Sequence, residues 1–314
     1  METPFSFWLG FNIAVAVLLV LDLTVLRQEK RAPSMRESIL TTLVWVALAV
    51  GFGIWLTGQM GWGKGSEFFT GYVIEYSLSM DNLFLFVLIF SAFRIAPDQQ
   101  RRLLFWGVIG ALVMRGAMIG AGVALLRSFA WVIYLFGAYI LYTGFHMLFR
   151  QARAEVNVES HLVVRFARRF LPLSWGDPRG RFVVREDGRL KFTLLFLVLV
   201  VVEITDLVFA LDSIPAIFGV TRDPFIVYTS NVCAVLGLRS LYFVLAGAVK
   251  NLVYLRTGLG CVLIFIGAKM VSEHFIPIST ELSLLIVGGI LGVTVAASLL
   301  KKKGEGRRQT HLPT

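Results

Sequence analysis

Charge is scarce in this chain. Only 16% of its 314 residues are Asp, Glu, Lys or Arg, whereas a soluble domain of this size carries about a quarter. With 57% hydrophobic residues and a mean hydropathy of +0.75, too little polar surface is left to coat a water-soluble particle, and lipid is the fitting solvent. Cysteine is almost missing. Cys233 and Cys261 both fall in apolar stretches, which excludes a disulfide framework and any C-x-x-C metal pattern and suits small packing residues. Of four histidines, His146 and His274 lie near the ends of apolar stretches, so zinc or copper is disfavoured. No organic cofactor and no enzymatic chemistry are expected.

What is abundant is long apolar sequence. Nine stretches, 5–26, 38–58, 67–93, 103–126, 128–149, 191–218, 225–248, 257–276 and 281–300, are of the order of the ~20 residues that cross a bilayer as helix. The expected fold class is therefore an all-α membrane protein with about nine transmembrane helices. The first stretch has no basic segment before it and no small-residue cleavage pattern after it, and is read as a retained anchor. The net charge of +10 could suggest nucleic acid, but its distribution argues for topology. Twenty-four of the 30 Lys and Arg fall on one side of the nine-span arrangement, among them ten between Arg150 and Lys191; Lys64, Arg127 and Arg222 fall on the other. This positive-inside pattern places the N-terminus outside and the C-terminus in the cytoplasm, with no nucleic acid as partner.

The chain divides into a two-helix segment (1–66), a first repeat (67–149), a basic cytoplasmic loop (150–190), a second repeat (191–276), and a last helix with a basic tail (277–314). Within the loop, 161–170 has the pattern of a helix lying on the inner leaflet. Asp187-Gly188 between short β-prone flanks predicts a hairpin. The loop is also the candidate surface for membrane-protein partners. The repeats align at an offset of 125: Ser79-Met-Asp81-Asn-Leu-Phe84 lies over Ile204-Thr-Asp206-Leu-Val-Phe209, and one deletion later Arg115 lies over Arg239. Three spans per repeat, helices 3–5 and 6–8, require opposite insertion, the plan of an inverted repeat with a substrate site at the midplane.

The midplane is where the unusual residues are. Glu75 and Asp81 lie in the third span, and Glu203, Asp206 and Asp212 in the sixth. An ionised side chain at this depth costs at least about 2.5–3.5 kcal/mol and calls for partners or a water-filled cavity. Arg115, Arg239 and Lys269 are the only bases inside spans; with Asp22 of the first span set aside, they leave two of five negative charges unanswered, the charge of one divalent cation. The alternative is a set of structural ion pairs. Candidate ligands are the carboxylates and the amide of Asn82, supported by the hydroxyls of Ser77, Ser79, Thr205 and Ser213. Such oxygen donors favour Mg²⁺, Ca²⁺ or Mn²⁺. Glu75 and Asp81 differ by about 120° around a helix, as do Asp206 and Asp212, so one straight pair of helices cannot aim all of them at one ion. A second site or a broken helix would be needed, and Pro215 beside Asp212 predicts a kink or unwound turn.

The runs Glu75-Tyr-Ser-Leu-Ser-Met-Asp81-Asn82 and Glu203-Ile-Thr-Asp206-Leu-Val-Phe-Ala-Leu-Asp212-Ser-Ile-Pro215-Ala216 resemble those of the TerC family, including its Alx branch, and Phe265-Ile-Gly-Ala-Lys269-Met270 is similar to a further family stretch. The resemblance covers all nine spans. It implies manganese export across the bacterial inner membrane, with these acids as candidate ligands, and a relation to the LysE-type exporters. The expected function is thus export of a divalent metal, Mn²⁺ first and Ca²⁺ second, by alternating access. Asp81 and Asp206 would sit at the heart of the site, and Arg115 and Arg239 would compensate charge when it is empty, as Lys269 would in the same role. Proton exchange is a candidate coupling, because carboxylates emptied of a cation in an apolar interior take up protons. A membrane chaperone or assembly factor, and a cation or proton channel, are the rival functions.

Overall fold

The computed structural model describes residues 3–28, 33–129, 131–149, 173–174, 181–186, 189–248, 254–272 and 278–309. Among them are nine helices: α1 (Phe5–Gln28), α2 (Met35–Met60), α3 (Trp62–Ala92), α4 (Pro97–Ser128), α5 (Val132–Phe149), α6 (Leu194–Phe218), α7 (Pro224–Ala248), α8 (Leu255–Ser272) and α9 (Thr280–Gln309). The first seven of these are long and apolar enough to cross a membrane. The apolar parts of α8 and α9, Thr257–Ser272 and Leu282–Ser298, are shorter.

Several helices begin before the apolar run predicts, because their first turns are polar and locally capped. Ser34 and Glu37 form a reciprocal capping box ahead of α2: the Ser34 N–H donates to Glu37 Oε2 at 2.7 Å, and the Glu37 N–H to Ser34 Oγ at 3.3 Å. Pro97 opens α4 at a position where its missing N–H costs nothing, so α4 starts six residues ahead of the expected 103. Gly61, at φ 87°, takes the left-handed turn between α2 and α3.

Among the described residues, the strands lie in the loop segment. β2 (Val183–Glu186) and β3 (Arg189–Thr193) pair antiparallel, with Glu186 opposite Arg189, as the expected hairpin requires, while its turn residues Asp187 and Gly188 lie outside the described residues; β1 (Leu173–Ser174) adds a parallel third strand in the order β1-β3-β2. Pairing claims residues 191–193, and α6 starts at Leu194 rather than 191, with Thr193 as its N-cap. The predicted surface helix at 161–170 lies outside the described residues.

α3 and α7 form the buried centre. α7 packs against α2, α3 and α4, while α3 also meets α2, α6 and α9; α4 packs on α6, and α5 on α8. The α5–α8 contact is close because it is lined by glycine: a Cβ on Gly144 would come within 2.9 Å of the Gly260 carbonyl oxygen, and one on Gly267 within 2.7 Å of the Leu141 nitrogen. Lipid tails offer no hydrophobic drive between helices, and small residues supply association through backbone approach. Three apolar clusters fill the bundle: one gathers Phe11, Leu56 and Phe225, and of the other two, one holds Leu83, Ala111 and Val202, the other Ile74, Ile119 and Ala210 from α3, α4 and α6. The same three helices carry the charged residues between these levels.

α6 is continuous through Pro215, which corrects the expected break. Only three helical residues follow the proline, and the Gly219 N–H closes the turn on the carbonyls of Pro215 and Ala216, both at 3.2 Å. A proline in a last turn removes one hydrogen bond and forces little else.

Candidate functional site

The centre of the bundle is organised by one arginine. Arg115, on α4, is 1% exposed. It donates from Nε to Asp206 Oδ2 at 3.0 Å and from Nη2 to Asp206 Oδ1 at 2.9 Å, a two-pronged grip on α6, and its Nη1 bonds Glu75 Oε1 on α3. The planar guanidinium suits this geometry, since its fork matches a carboxylate edge and leaves a third direction for another acid. Ser79, one turn along α3, donates to the same Glu75 oxygen at 3.3 Å.

Glu203 lies one turn before Asp206 on α6. A Cβ at Gly110 would overlap its carboxyl group, so glycine on α4 is what makes room for it. Its Oε2, like Oε2 of Glu75, is buried with no hydrogen-bond partner. A cavity of about 20 Å³ lies alongside, lined by Glu203, Asp206, Gly107 and Arg239 among apolar side chains. That is room for a single water-sized guest, which needs about 10–15 Å³. Among the described residues, Glu75, Glu203, Asp206 and Asp22 face Arg115 and Arg239, four acids against two guanidinium groups, which leaves two negative charges uncompensated when all are ionised.

The other two intramembrane bases also have partners on outer helices. Arg239 lines the cavity beside Glu203 and Asp206 and pairs with Asp22 of α1, the acid that charge counting set aside. Lys269 donates to Ser283 of α9 at 3.0 Å and so ties α8 to α9. Asp22 was missed as a partner because it lies in the most exposed helix of the bundle, although an acid within an apolar span always demands a partner. Asn231 of α7 was also missed: both amide atoms are buried without a partner, and a buried amide in a span is the signal that could have found it.

Of the remaining candidates, Asn82 is buried on α3. Ser77 and Thr205 donate to carbonyls of their own helices, Val73 at 2.6 Å and Val201 at 2.7 Å, and Ser213 is buried with no partner. The side chains of Asp81 and Asp212 lie outside the described residues. Among the described residues, no three His, Cys, Asp or Glu side chains converge as a ready ligand set; Arg115 stands between Glu75 and Asp206 instead.

The sequence from 60 to 306 matches the model of the integral membrane protein TerC family. The chain belongs to the TerC family. Its relatives extend nearly end to end. It is 45% identical over 307 residues to the uncharacterized membrane protein STKORF319 of Myxococcus xanthus, covering 98% of this chain and 94% of that one. It is 41% identical over 296 residues to the putative membrane-bound redox modulator Alx of Escherichia coli K12, covering 91% and 92%. Against the chloroplastic thylakoid membrane protein TERC of Arabidopsis thaliana, identity is 42% over 281 residues, 89% of this chain and 73% of that one. No solved structure matches it significantly.

Proposed function

We propose that this TerC-family protein is a transporter, not an enzyme, that exports a divalent metal ion, Mn²⁺ first and Ca²⁺ second. The observation that carries the reading is the charge balance at the centre among the described residues: Glu75, Glu203 and Asp206 beside Arg115, with the neighbouring Arg239 matched by Asp22, and with carboxylate oxygens of Glu75 and Glu203 buried and unpartnered. Buried acids without counter-charge are costly, and a doubly charged guest is what restores neutrality. The donors are oxygen, which suits a hard cation. Arg115 then acts as a counter-ion, holding Glu75 and Asp206 together when no metal is bound and loosening its grip without leaving the site when the metal arrives, so that guanidinium and metal together balance the acids. Asp81, Asp212 and Asn82 complete the set of candidate donors.

The membrane is a bacterial inner membrane in this reading, and the bias of basic residues supports an N-terminus outside and a C-terminus in the cytoplasm. Helix packing supports an inverted repeat: exchanging α3–α5 with α6–α8 turns the α3–α7 contact into α6–α4, and maps α3–α6, α4–α7 and α5–α8 onto themselves. Alternating access by rocking one repeat against the other follows from that plan. Flux of Mn²⁺ into inside-out vesicles or proteoliposomes tests the reading. Glu203→Gln, which removes a charge without touching the Arg115 pairs, is expected to reduce flux at least tenfold. A wild-type protein that moves no Mn²⁺ overturns it.

A further inference from the structure

A second, larger cavity lies on the same side of the bundle as the basic loop. Its volume is about 410 Å³, and it runs between α1 and α2, at the ends where α1 finishes and α2 and α4 begin. Its polar lining comes from Asp22, Glu37, Arg101 and Arg239. Arg239 lines the small central cavity as well, beside Glu203 and Asp206. One side chain therefore forms part of the wall of both spaces, and it is held there by Asp22. At the opposite ends of the helices, Lys64 pairs with Glu67 at 2.9 Å and Asp223 at 3.2 Å, and Thr221 donates to Glu67 at 2.5 Å, which ties the start of α3 to the α6–α7 connection.

We infer that the α1–α2 crevice is the cytoplasmic vestibule of the cation's path and that the Asp22–Arg239 ion pair is its gate. This rests on the transport reading above. Held by Asp22, the guanidinium separates the vestibule from the carboxylate cavity, and its positive charge at that point repels a cation approaching the inner acids. A divalent cation drawn into the vestibule competes for Asp22 and releases Arg239 from the shared wall, and the guanidinium carries its charge with it as it swings aside. An ion pair suits this work because its partners separate without breaking a packed apolar contact, and a cation substitutes directly for the guanidinium at the carboxylate.

The test places a reporter thiol in the inner cavity, with Cys233 and Cys261 replaced by alanine. Val235→Cys is the first reporter and Ala111→Cys the second, both on walls of that cavity. A membrane-impermeant thiosulfonate is applied from the cytoplasmic face in inside-out vesicles, and from the other face in right-side-out vesicles. With the Asp22–Arg239 pair intact, labelling is slow from both faces. Asp22→Asn raises the rate at least tenfold from the cytoplasmic face alone. The double variant D22N/R239Q, which removes both charges of the pair, does the same, while Asp22→Glu stays slow. Millimolar Mn²⁺ raises the rate in the intact protein. Unchanged labelling in both opened variants, or an equal rise from both faces, overturns the gate. Rapid one-sided labelling in those variants, together with no Mn²⁺ flux by the intact protein, instead retains the gate and overturns manganese as cargo.

Discussion

Replacing Arg115 by leucine probes the centre of the site most directly. The side chain is 1% exposed and makes three charge-assisted hydrogen bonds, two to Asp206 and one to Glu75. Truncation leaves two carboxylates facing each other in an apolar interior with no cation. Breaking a buried pair from one side costs about 3–5 kcal/mol, chiefly because the abandoned charge stays buried. The effect should reach the upper part of that range here, since two charges are abandoned. The assay is thermal unfolding of the purified protein in detergent, followed by tryptophan fluorescence, with and without Mn²⁺. The Leu variant should unfold well below the intact protein, and the triple variant R115L/E75Q/D206N should recover most of the loss, because the acids that needed the arginine are gone. Arg115→Lys keeps the charge but not the fork, and should fall between. Mn²⁺ at about 100 times its Kd adds about 2.7 kcal/mol to any form that binds it only when folded. If the cation and the guanidinium compete for the same acids, the metal should stabilise R115L more than the intact protein. Equal stability of R115L and the intact protein would refute the account of Arg115 as the central counter-ion. A Mn²⁺ effect smaller in R115L than in the intact protein would refute competition.

Other changes test neighbouring parts of the reasoning. Gly110→Ala drives a methyl group into the Glu203 carboxyl; it should cost about 1–3 kcal/mol as overpacking and abolish Mn²⁺ flux, and Gly110→Ala combined with Glu203→Ala should restore the melting temperature but not the flux. Gly267→Leu puts a branched side chain where the α5 backbone approaches, and should separate α5 from α8, read as loss of a cross-link between cysteines placed on the two helices. Ser34→Ala removes half of the capping box before α2, and should lower stability by about 1 kcal/mol without altering flux. Lys269→Met removes the donor that ties α8 to Ser283 of α9, and should lower the melting temperature measured in detergent.

Much of this protein can be read along the chain. Lipid as solvent, helices as the spanning elements, and the hairpin about Asp187-Gly188 are local or compositional matters: a bilayer demands continuous apolar helix, and a two-residue turn declares itself by its own residues. The acids and bases of the interior are legible for the same reason, since any charge inside an apolar run stands out against its neighbours. Which charges meet is another matter. Arg115 and Asp206 are 91 residues apart, and Arg239 and Asp22 are 217 apart; repeat alignment treats Arg115 and Arg239 as equivalents, yet α1, which has no counterpart in the repeat, supplies Asp22 to only one of them. Pro215 misleads for a related reason: its consequence depends on how many helical residues follow it. Composition and the position of each charge, then, are properties of the chain alone, because the membrane acts on every residue according to its own polarity. The pairing of those charges, the glycine that admits Glu203, and the arginine shared by two cavities were decided only when nine helices packed, because each depends on which faces of distant helices are brought within hydrogen-bond reach.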